Sequence, residues 1–357
     1  MRILFVIQEL RTGGAERVVV ALARGARSAG HDVAVAAAPG PLATDLGAPV
    51  FPLPLLRRRP WLVPLAALRL RQALAAWPAE LVHCHNPGMA AVTSLATIRG
   101  RRPPALVSIH GVPNEDYRVA ARVLRLAGLP AVACGPGVEV ALAEQRYDVV
   151  ATIPNGIPPV PPPADRAELE REWGLAPEQR LVVLVGRLVD QKNQGLAIAA
   201  LAEIPGATLA MLGEGPLHAS LEREALHAGI ADRVVFAGVR HDAREIIGAA
   251  DAVVIPSRFE GLPLVALEAL AARTPIVATA VRGLRELLTD GETALLVPPG
   301  DARLLAAALR RVLEEDALAE RLAEAGLRVA AEYTEERMVN GFLTLYNRLL
   351  AEGRDER

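Results

Sequence analysis

The chain contains a single lysine, Lys192, among its 39 lysine and arginine residues. It lies five residues after Arg187, in a segment that follows the predicted strand Leu181–Val185, and is predicted to begin the next helix. Arginine is a rigid planar fork and lysine is a compact ammonium on a flexible stem, so the two are not interchangeable. At this spacing, a guanidinium and an ammonium could both reach the oxygens of a diphosphate. The alternative is that both are solvated surface cations.

The strongest group of candidate residues follows another predicted strand, Ala252–Ile255. The loop after this strand carries Glu260, and a helix is predicted to begin near Pro263, since proline is tolerated in a first turn. From residue 262 to residue 272 the only polar side chain is that of Glu268, and a helix that is apolar all round is buried. A buried carboxylate needs donors, which sugar hydroxyls could supply. The alternative is a structural pair with an arginine.

Backbone groups near predicted strand ends could also bind a ligand. Gly14 belongs to a glycine pair that begins a helix, and Gly213 and Gly215 lie in a second tight turn. Glycine allows close approach of the backbone, and the free N–H groups of a helix start attract anions. The N–H groups of Leu264 and Val265 have the same capacity. Either glycine turn could equally be an ordinary connection.

Three histidines lie at strand ends in the first half of the chain. His110 follows the predicted strand Ala105–Ile109 and could hydrogen-bond a sugar or a phosphate. A structural histidine with satisfied hydrogen bonds is the alternative. Because side chains alternate along a strand, Cys84 is predicted to face away from His83 and His85, which argues against a metal site there. No other cysteine and histidine cluster indicates zinc.

The elements that position these residues follow a repeated strand and helix order. Most of the strands are continuous apolar runs, which is typical of parallel strands buried on both faces. Alternating strands and helices indicate a doubly wound α/β sheet, whose ligands bind at the carboxyl ends of the strands. The predicted strands are Arg2–Ile7, Asp32–Ala37, Val50–Leu53, Leu81–His85, Ala105–Ile109, Ala131–Cys134, Val149–Ile153, Leu181–Val185, Thr208–Leu212, Val234–Phe236, Ala252–Ile255, Ile276–Ala278 and Ala294–Val297.

A proline-rich segment at residues 158–163 divides the chain, because such a run can form neither a helix interior nor a central strand. It is predicted to be a semi-rigid, extended linker. We therefore predict two Rossmann-like domains, residues 1–158 and 159–334, facing across a cleft that holds the ligand. A final helix within residues 335–357 is expected to return to the first domain. A length of 357 residues is compatible with two domains.

Composition narrows the functional classes. The net charge is −2, but residues 1–158 hold 17 arginines against 10 acidic residues, and the remainder holds 22 basic against 31 acidic residues. This asymmetry indicates two domains with different partners, and no nucleic-acid partner is expected. The two cysteines do not form a disulfide framework, which favours a reducing cytoplasm. No apolar run is long enough to span a membrane, and the short first apolar run is read as a strand.

Together, the ordered motifs resemble those of the retaining, GT-B fold glycosyltransferases of family 4 over nearly the whole chain. The resemblance implies an acceptor side in the first domain and a nucleotide-sugar donor side in the second. Its motifs are Gly13-Gly14-Ala15-Glu16, His110-Gly111, Pro154-Asn155-Gly156-Ile157, Gly186-Arg187 with Lys192, Gly213-Glu214-Gly215-Pro216, the E-x7-E pair Glu260 and Glu268, the Gly291 turn and Leu296-Val297-Pro298-Pro299-Gly300-Asp301.

The resemblance also implies roles for individual residues. Arg187 and Lys192 would bind the donor diphosphate, and Glu260 would contact the transferred sugar, with His110 near it. Two further roles are implied for binding residues: the ribose would be held by Glu268, and the phosphates would be covered by Gly14.

The reaction implied is transfer of a hexosyl or N-acetylhexosaminyl group from a nucleotide sugar, most commonly a UDP-sugar, to a hydroxyl of a glycan or a lipid-linked acceptor. It would retain the anomeric configuration and need no metal or other cofactor. Charge on the leaving phosphate would be stabilised by Arg187, Lys192 and helix N-terminal amides. The chain departs from many relatives at Leu262, Pro263 and Arg273, where phenylalanine, glycine and glycine are common.

A basic and apolar segment suits contact with an anionic membrane surface on the cytoplasmic side. It contains the triplet Arg57, Arg58 and Arg59, followed by Trp61. A lipid-linked sugar or a growing polysaccharide would then be the acceptor. The alternative is a solvated basic helix that faces the cleft.

Other functional classes remain open. One is a non-catalytic nucleotide-sugar-binding protein of the same fold. Another is a different GT-B enzyme, an epimerase or a phosphorylase; a phosphorylase would need a lysine for pyridoxal phosphate, and Lys192 is the only candidate. An NAD-dependent oxidoreductase is disfavoured, because the third glycine of the dinucleotide motif is absent and Asp32 opens the second strand instead of closing it.

Overall fold

The computed structural model describes residues 1–11, 13–56, 59–98, 103–176 and 178–355, with side chains as far as residue 352. The chain divides into two compact units. The first unit contains residues 1–156 together with the C-terminal segment from Glu335, and the second contains Ile157–Thr334. These boundaries lie close to those drawn from the sequence.

The first unit is built on a seven-stranded, all-parallel sheet with the order β3-β2-β1-β4-β5-β6-β7. The strands are β1 Arg2–Glu9, β2 Asp32–Ala38, β3 Val50–Pro52, β4 Leu81–His85, β5 Ala105–Ile109, β6 Ala131–Ala133 and β7 Ala151–Thr152. The helices that connect them are α1 Gly14–Ser28, α2 Val63–Ala76, α3 Pro87–Thr97, α4 Tyr117–Ala127 and α5 Pro136–Ala143.

The second unit repeats this plan with a six-stranded parallel sheet in the order β10-β9-β8-β11-β12-β13. Its strands are β8 Arg180–Val185, β9 Ala207–Leu212, β10 Val234–Gly238, β11 Ala252–Ile255, β12 Ile276–Thr279 and β13 Leu295–Val297. Its helices are α6 Arg166–Trp173, α7 Gln194–Ala202, α8 His218–His227, α9 Ala243–Ala249, α10 Leu264–Ala271, α11 Ala302–Glu314 and α12 Asp316–Ala330.

The last helix, α13 (Glu335–Asp355), packs on the first unit. A Cβ added to Gly25 of α1 would lie 2.5 Å from a methyl group of Val339, so the two helices approach at a glycine. Tyr346, which is 1% exposed, reaches the sheet and hydrogen-bonds His83. The aromatic content of this helix therefore belongs to the core of the first unit.

The proline segment is attached to the second unit. The carbonyl of Pro159 accepts a hydrogen bond of 3.0 Å from Arg244, and Pro163 lies 3.3 Å from the position that a Cβ of Gly248 would occupy. Asp165 then caps α6 by accepting from the N–H of Ala167. The segment is held against α9, which the expectation of a semi-rigid linker did not include.

The predicted doubly wound α/β architecture is confirmed in both units. Every predicted strand is present, and its ends lie within two residues of the predicted ends. One local expectation was wrong: Lys192 does not begin the following helix. It ends a short 3-10 turn, Asn193 adopts a left-handed conformation with φ 51°, and α7 begins at Gln194. Among the described residues, no helix is long and apolar enough to cross a bilayer.

Candidate active site

The carboxyl edge of the second sheet brings the two predicted cations into one region. Arg187 follows β8 and is exposed, and Lys192 lies on the turn that follows. Between β8 and Arg187, Gly186 has φ 155°, and a Cβ there would lie 3.1 Å from the Lys192 side chain. Glycine at this position therefore lets the lysine stem lie flat against the backbone.

Lys192 forms an ion pair with Glu260, which follows β11. Its Nζ donates to Oε1 of Glu260 at 2.6 Å, and the Oγ of Ser257 donates to the same oxygen at 2.7 Å. The Lys192 side chain is 19% exposed and that of Glu260 is 6% exposed. Because this pair is largely removed from water, the geometry of both groups is fixed before any ligand arrives.

Ser257 is a site residue that was assigned no role from the sequence. Its carbonyl accepts a hydrogen bond of 2.6 Å from Oγ1 of Thr279, at the end of β12. The serine thus connects the Glu260 carboxylate to the neighbouring strand. A serine three residues before a glutamate, directly after a strand, is the signal that could have indicated this contact.

Two loops of this edge are joined by side-chain amides. The Nε2 of Gln191 donates to the carbonyl of Phe259, and the Nδ2 of Asn193 donates to the carbonyl of Pro256, both at 3.1 Å. Gln194, which is 1% exposed, donates to the carbonyl of Arg187 at 2.8 Å. These bonds fix the loop of Lys192 to the loop of Glu260 and hold the backbone of Arg187 in place.

The Gly213 and Gly215 turn packs directly on the Arg187 loop. A Cβ on Gly213 would lie 2.2 Å from the carbonyl oxygen of Gly186, and a Cβ on Gly215 would lie 2.3 Å from that of Leu188. Both glycines are therefore required by backbone packing. From the sequence, this turn could serve either close approach to a ligand or an ordinary connection, and the structure shows close approach to a neighbouring loop.

The start of α10 lies beside Glu260. Leu264 and Val265 are its first residues, so their N–H groups have no acceptor within the helix. Glu268 lies one turn further and is 7% exposed, in a helix whose other residues are all apolar. Gly283 (φ 84°) contacts this loop, since a Cβ there would lie 2.5 Å from the carbonyl oxygen of Gly261.

In the first unit, Gly14 and His110 follow β1 and β5. Gly14 is exposed and is the first residue of α1. His110 is partly buried, and its Nε2 lies 2.8 Å from Nδ1 of His85, the last residue of β4. The contact of His110 with His85 was not expected from the sequence, although the parallel order of β4 and β5 brings their ends together.

Behind this pair the imidazoles form a column. The ring of His83 stacks on that of His85 with centroids 4.2 Å apart, and its nitrogens bond Tyr346 and Ser108 at 2.6 and 2.8 Å. The thiol of Cys84 instead donates to the carbonyl of Leu106, so it faces away as predicted. Burial lowers the pKa of His110 to about 4 and lowers the pKa values of His83 and His85 well below 6.5. All three rings are therefore neutral near pH 7.

The predicted membrane segment is described only in part. Arg57 and Arg58 lie outside the described residues. Arg59 is exposed, and Trp61 is 68% exposed. Among the side chains that the structure describes, no group of three or more histidine, cysteine or acidic residues could hold a metal ion.

Two family models match the chain. The model described as "Glycosyl transferases group 1" matches residues 165–329, and the model described as "Glycosyltransferase Family 4" matches residues 12–160. Each match covers most of one unit. Arg187, Lys192, Glu260 and Glu268 lie within the first, and Gly14 and His110 within the second.

Curated relatives and a solved structure show the same likeness. The 2-deoxystreptamine glucosyltransferase of Streptomyces kanamyceticus is 30% identical over 306 residues, covering 74% of this chain and 78% of that protein. The lipopolysaccharide core biosynthesis glycosyltransferase LpsE of Rhizobium meliloti is 34% identical over 182 residues, so the match spans about half of each protein, 51% and 52%. Anabaena Alr3699/HepE, solved in complex with UDP and glucose, superposes with a TM-score of 0.83 at 22% identity, over 98% of this chain and 100% of that one. The chain belongs to family 4 of the glycosyltransferases and has the GT-B fold.

Proposed function

We propose that this protein is a retaining glycosyltransferase that moves a sugar from a UDP-sugar to a hydroxyl of a glycan or a lipid-linked acceptor. The observation that carries the proposal is the ion pair between Lys192 and Glu260 at the carboxyl edge of the second sheet, beside Arg187 and the start of α10. Cations and free N–H groups suit a diphosphate, and buried carboxylates suit sugar hydroxyls.

Breaking the bond between the sugar and the diphosphate builds negative charge on the leaving phosphate. Arg187, Lys192 and the N–H groups of Leu264 and Val265 would stabilise that charge, so no metal is required. Glu260 would accept a hydrogen bond from a hydroxyl of the transferred sugar, and Glu268 one from the ribose. The leaving phosphate would receive the proton of the acceptor hydroxyl on the same face of the sugar, which retains the configuration.

The named relatives support the choice of substrates. HepE binds UDP and glucose in its solved complex, and LpsE acts in lipopolysaccharide core biosynthesis. A UDP-hexose and a glycan acceptor are the corresponding proposals for this chain. A cytoplasmic site is compatible with the buried thiols of Cys84 and Cys134.

A panel of nucleotide sugars tests this proposal by thermal shift and by release of free nucleotide. A donor at 100 times its Kd would stabilise the folded protein by about 2.7 kcal/mol. We expect UDP-sugars to give the largest shifts and one of them to be turned over in the presence of a chelator. Absence of a shift from every nucleotide sugar would overturn the proposal, and a shift without turnover under any acceptor would favour a non-catalytic binding protein.

We also propose that the first unit contacts an anionic bilayer through a basic apolar face, formed by the exposed side chains of α2, α3 and α4 and of the turn before α2. Helix α3 packs between the other two. The exposed large apolar residues of this face are Trp61, Leu65, Leu68, Leu95, Ile98, Val119 and Leu126. Its exposed arginines include Arg59, Arg69, Arg71, Arg118, Arg122 and Arg125. Apolar side chains that insert and cations that attract anionic headgroups are the two features of interfacial binding.

Sedimentation with vesicles tests this face. We expect binding to phosphatidylglycerol vesicles that weakens as salt is raised, and little binding to phosphatidylcholine vesicles. Trp61→Ser should weaken binding, whereas Leu226→Ser, at a leucine of the second unit that is 66% exposed, should not. Equal binding to both lipids, or equal effects of the two substitutions, would contradict the proposal.

A further inference from the structure

His85 and His110 form a hydrogen-bonded pair at the carboxyl edge of the first sheet. The strands β4 and β5 are parallel neighbours, with His85 opposite Ser108, so the side chain after β5 meets the last side chain of β4. The Nδ1 of His85 and the Nε2 of His110 are 2.8 Å apart, and the two ring planes are inclined by only 8°. His85 therefore sets the orientation of the His110 ring.

The two outer nitrogens of this pair, Nε2 of His85 and Nδ1 of His110, are buried and have no hydrogen-bond partner among the described residues. A neutral imidazole carries one N–H and one bare nitrogen. One N–H lies within the shared hydrogen bond, so of the two outer nitrogens one is an N–H and the other is bare. The direction of the shared bond decides which is which.

The surroundings of the two rings differ. His85 is 0% exposed and is stacked on His83, whose own nitrogens bond Tyr346 and Ser108. His110 lies at the sheet edge and is only partly buried. Among buried backbone groups an unpaired N–H is rarer than an unpaired acceptor, and the same desolvation argument applies to a ring N–H. The outer N–H therefore belongs on His110, the ring at the carboxyl edge of the sheet, where ligands of such sheets bind.

We propose that His85 is a positioning residue that donates from its Nδ1 to Nε2 of His110, so that His110 offers its Nδ1–H to an oxygen of a bound sugar. This inference rests on the proposed function for the identity of the ligand. It assigns His110 as a donor, with its tautomer fixed by a residue that lies behind it in the sheet.

Nitrogen NMR of the free protein, labelled with 15N-histidine, reads the tautomer directly. The His110 signals, assigned by their loss in His110→Gln, should show a protonated Nδ1 and a bare Nε2 at pH 7. A proton on Nε2, or on both nitrogens, would overturn the proposal. This NMR measurement does not depend on turnover. The assignment of the His110 tautomer can therefore be refuted while the glycosyltransferase activity is confirmed, and the reverse.

Substitutions at His85 test the positioning role. His85→Phe keeps an aromatic ring but removes the donor, and we expect kcat/KM to fall about tenfold, the equivalent of one hydrogen bond. His85→Asn can place an amide N–H near the position of Nδ1 and should recover much of this loss. His83→Phe, the matched control, breaks two buried bonds but none to His110, and should lower stability without lowering kcat/KM. Equal losses in His83→Phe and folded His85→Phe would contradict the role.

The same NMR signals identify which sugar is contacted. If the donor sugar is the ligand, UDP-glucose should shift the His110 nitrogen signals and UDP alone should not. If both nucleotides bind and leave the signals unchanged, the acceptor hydroxyl is the partner. Movement of the His110 proton to Nε2 on binding of either nucleotide would contradict the assigned donor.

Discussion

The two sheets carry chemically different edges. At the edge of the second sheet the central feature is a charged pair, Lys192 with Glu260, shielded from water and placed beside an exposed arginine. At the edge of the first sheet it is a pair of neutral imidazoles, His85 with His110. The same α/β plan has thus been fitted with ions where a diphosphate is proposed to bind, and with neutral hydrogen-bonding groups where a sugar is proposed to bind.

This difference follows from what each ligand requires. A diphosphate carries full charge, and removing it from water is favourable only where cations and N–H groups replace the lost hydration. A sugar hydroxyl is neutral, and a neutral donor or acceptor satisfies it without the desolvation cost of an ion. We therefore expect substitutions of the ion pair at the second sheet to reduce turnover. Protonation of the buried histidines at the first sheet is expected to reduce the stability of the fold.

The largest effect is expected from Lys192→Ala. Loss of a group that stabilises charge in the transition state typically costs about 10²–10³ in turnover. The melting temperature should be measured alongside, because the variant leaves the buried carboxylate of Glu260 without its cation. Arg223→Ala, at an exposed cation of α8, is the matched control and should behave like the wild type. A Lys192→Ala enzyme with near-normal kcat/KM would show that the charged edge is not the reaction site.

Glu260→Gln distinguishes the role of Glu260 from that of Lys192. The substitution keeps the shape of the side chain but removes its charge, so it frees Lys192 for the diphosphate. Turnover should fall by about 10²-fold, as for loss of one group that acts in the transition state, while the affinity for UDP stays unchanged or rises. Calorimetric titration with UDP measures the second effect. Weaker UDP binding would mean that Glu260 organises the phosphate site and does not act on the sugar.

Acid should unfold the first unit before the second. The pKa values of His83, His85 and His110 are lowered by burial, that of His110 from 6.5 to about 4. The unfolded chain therefore binds more protons than the folded chain below pH 6.5, and stability falls as the pH drops through that value. Each such histidine lowers the free energy of unfolding by up to about 1.4 kcal/mol per pH unit.

Amide hydrogen exchange in β1 and β8 compares the two units directly. Between pH 6.5 and 5, protection corrected for intrinsic exchange should decrease in β1 first. The histidines of the second unit, His218, His227 and His241, are not buried. His83→Phe should reduce the difference between the units, since one of the buried imidazoles is removed. Parallel loss of protection in both strands would contradict the explanation by histidines.

The smallest of these effects concerns backbone packing at the two edges. A Cβ on Gly215 would lie 2.3 Å from a carbonyl oxygen, whereas a Cβ on Gly88, in α3 of the first unit, would meet nothing within 4 Å. Gly215→Ala should cost about 1–3 kcal/mol, the usual cost of overpacking. Gly88→Ala should be neutral or slightly stabilising. Denaturant unfolding measures both, and equal midpoints would contradict the close approach.

The fold was largely predictable, because buried parallel strands are continuous apolar runs. Each such strand can be recognised from its own segment of the sequence. The clustering of Arg187, Lys192 and Glu260 was also predictable, since all three follow strands of one sheet. The partners were not predictable. The bonds from Lys192 to Glu260 and from His85 to His110 join residues 68 and 25 positions apart, and their pairing depends on strand order and on side-chain geometry.

The sequence left open whether Gly213 and Gly215 serve a ligand or an ordinary turn. Sequence patterns show that a glycine permits close approach, but they do not show what approaches. In the structure it is the backbone of the Arg187 loop. Arg273, at a position where the family resemblance implies a glycine, has φ 58°, so that position does require a left-handed conformation.

Chemical labelling of the single lysine tests the central claim most directly. With an amine-selective reagent, only Lys192 and the α-amino group of Met1 can react, and peptide mass spectrometry separates the two. We predict that UDP and a UDP-sugar substrate slow the modification of Lys192 and leave that of Met1 unchanged. Equal rates of Lys192 modification with and without saturating nucleotide would contradict the placement of the diphosphate at this residue.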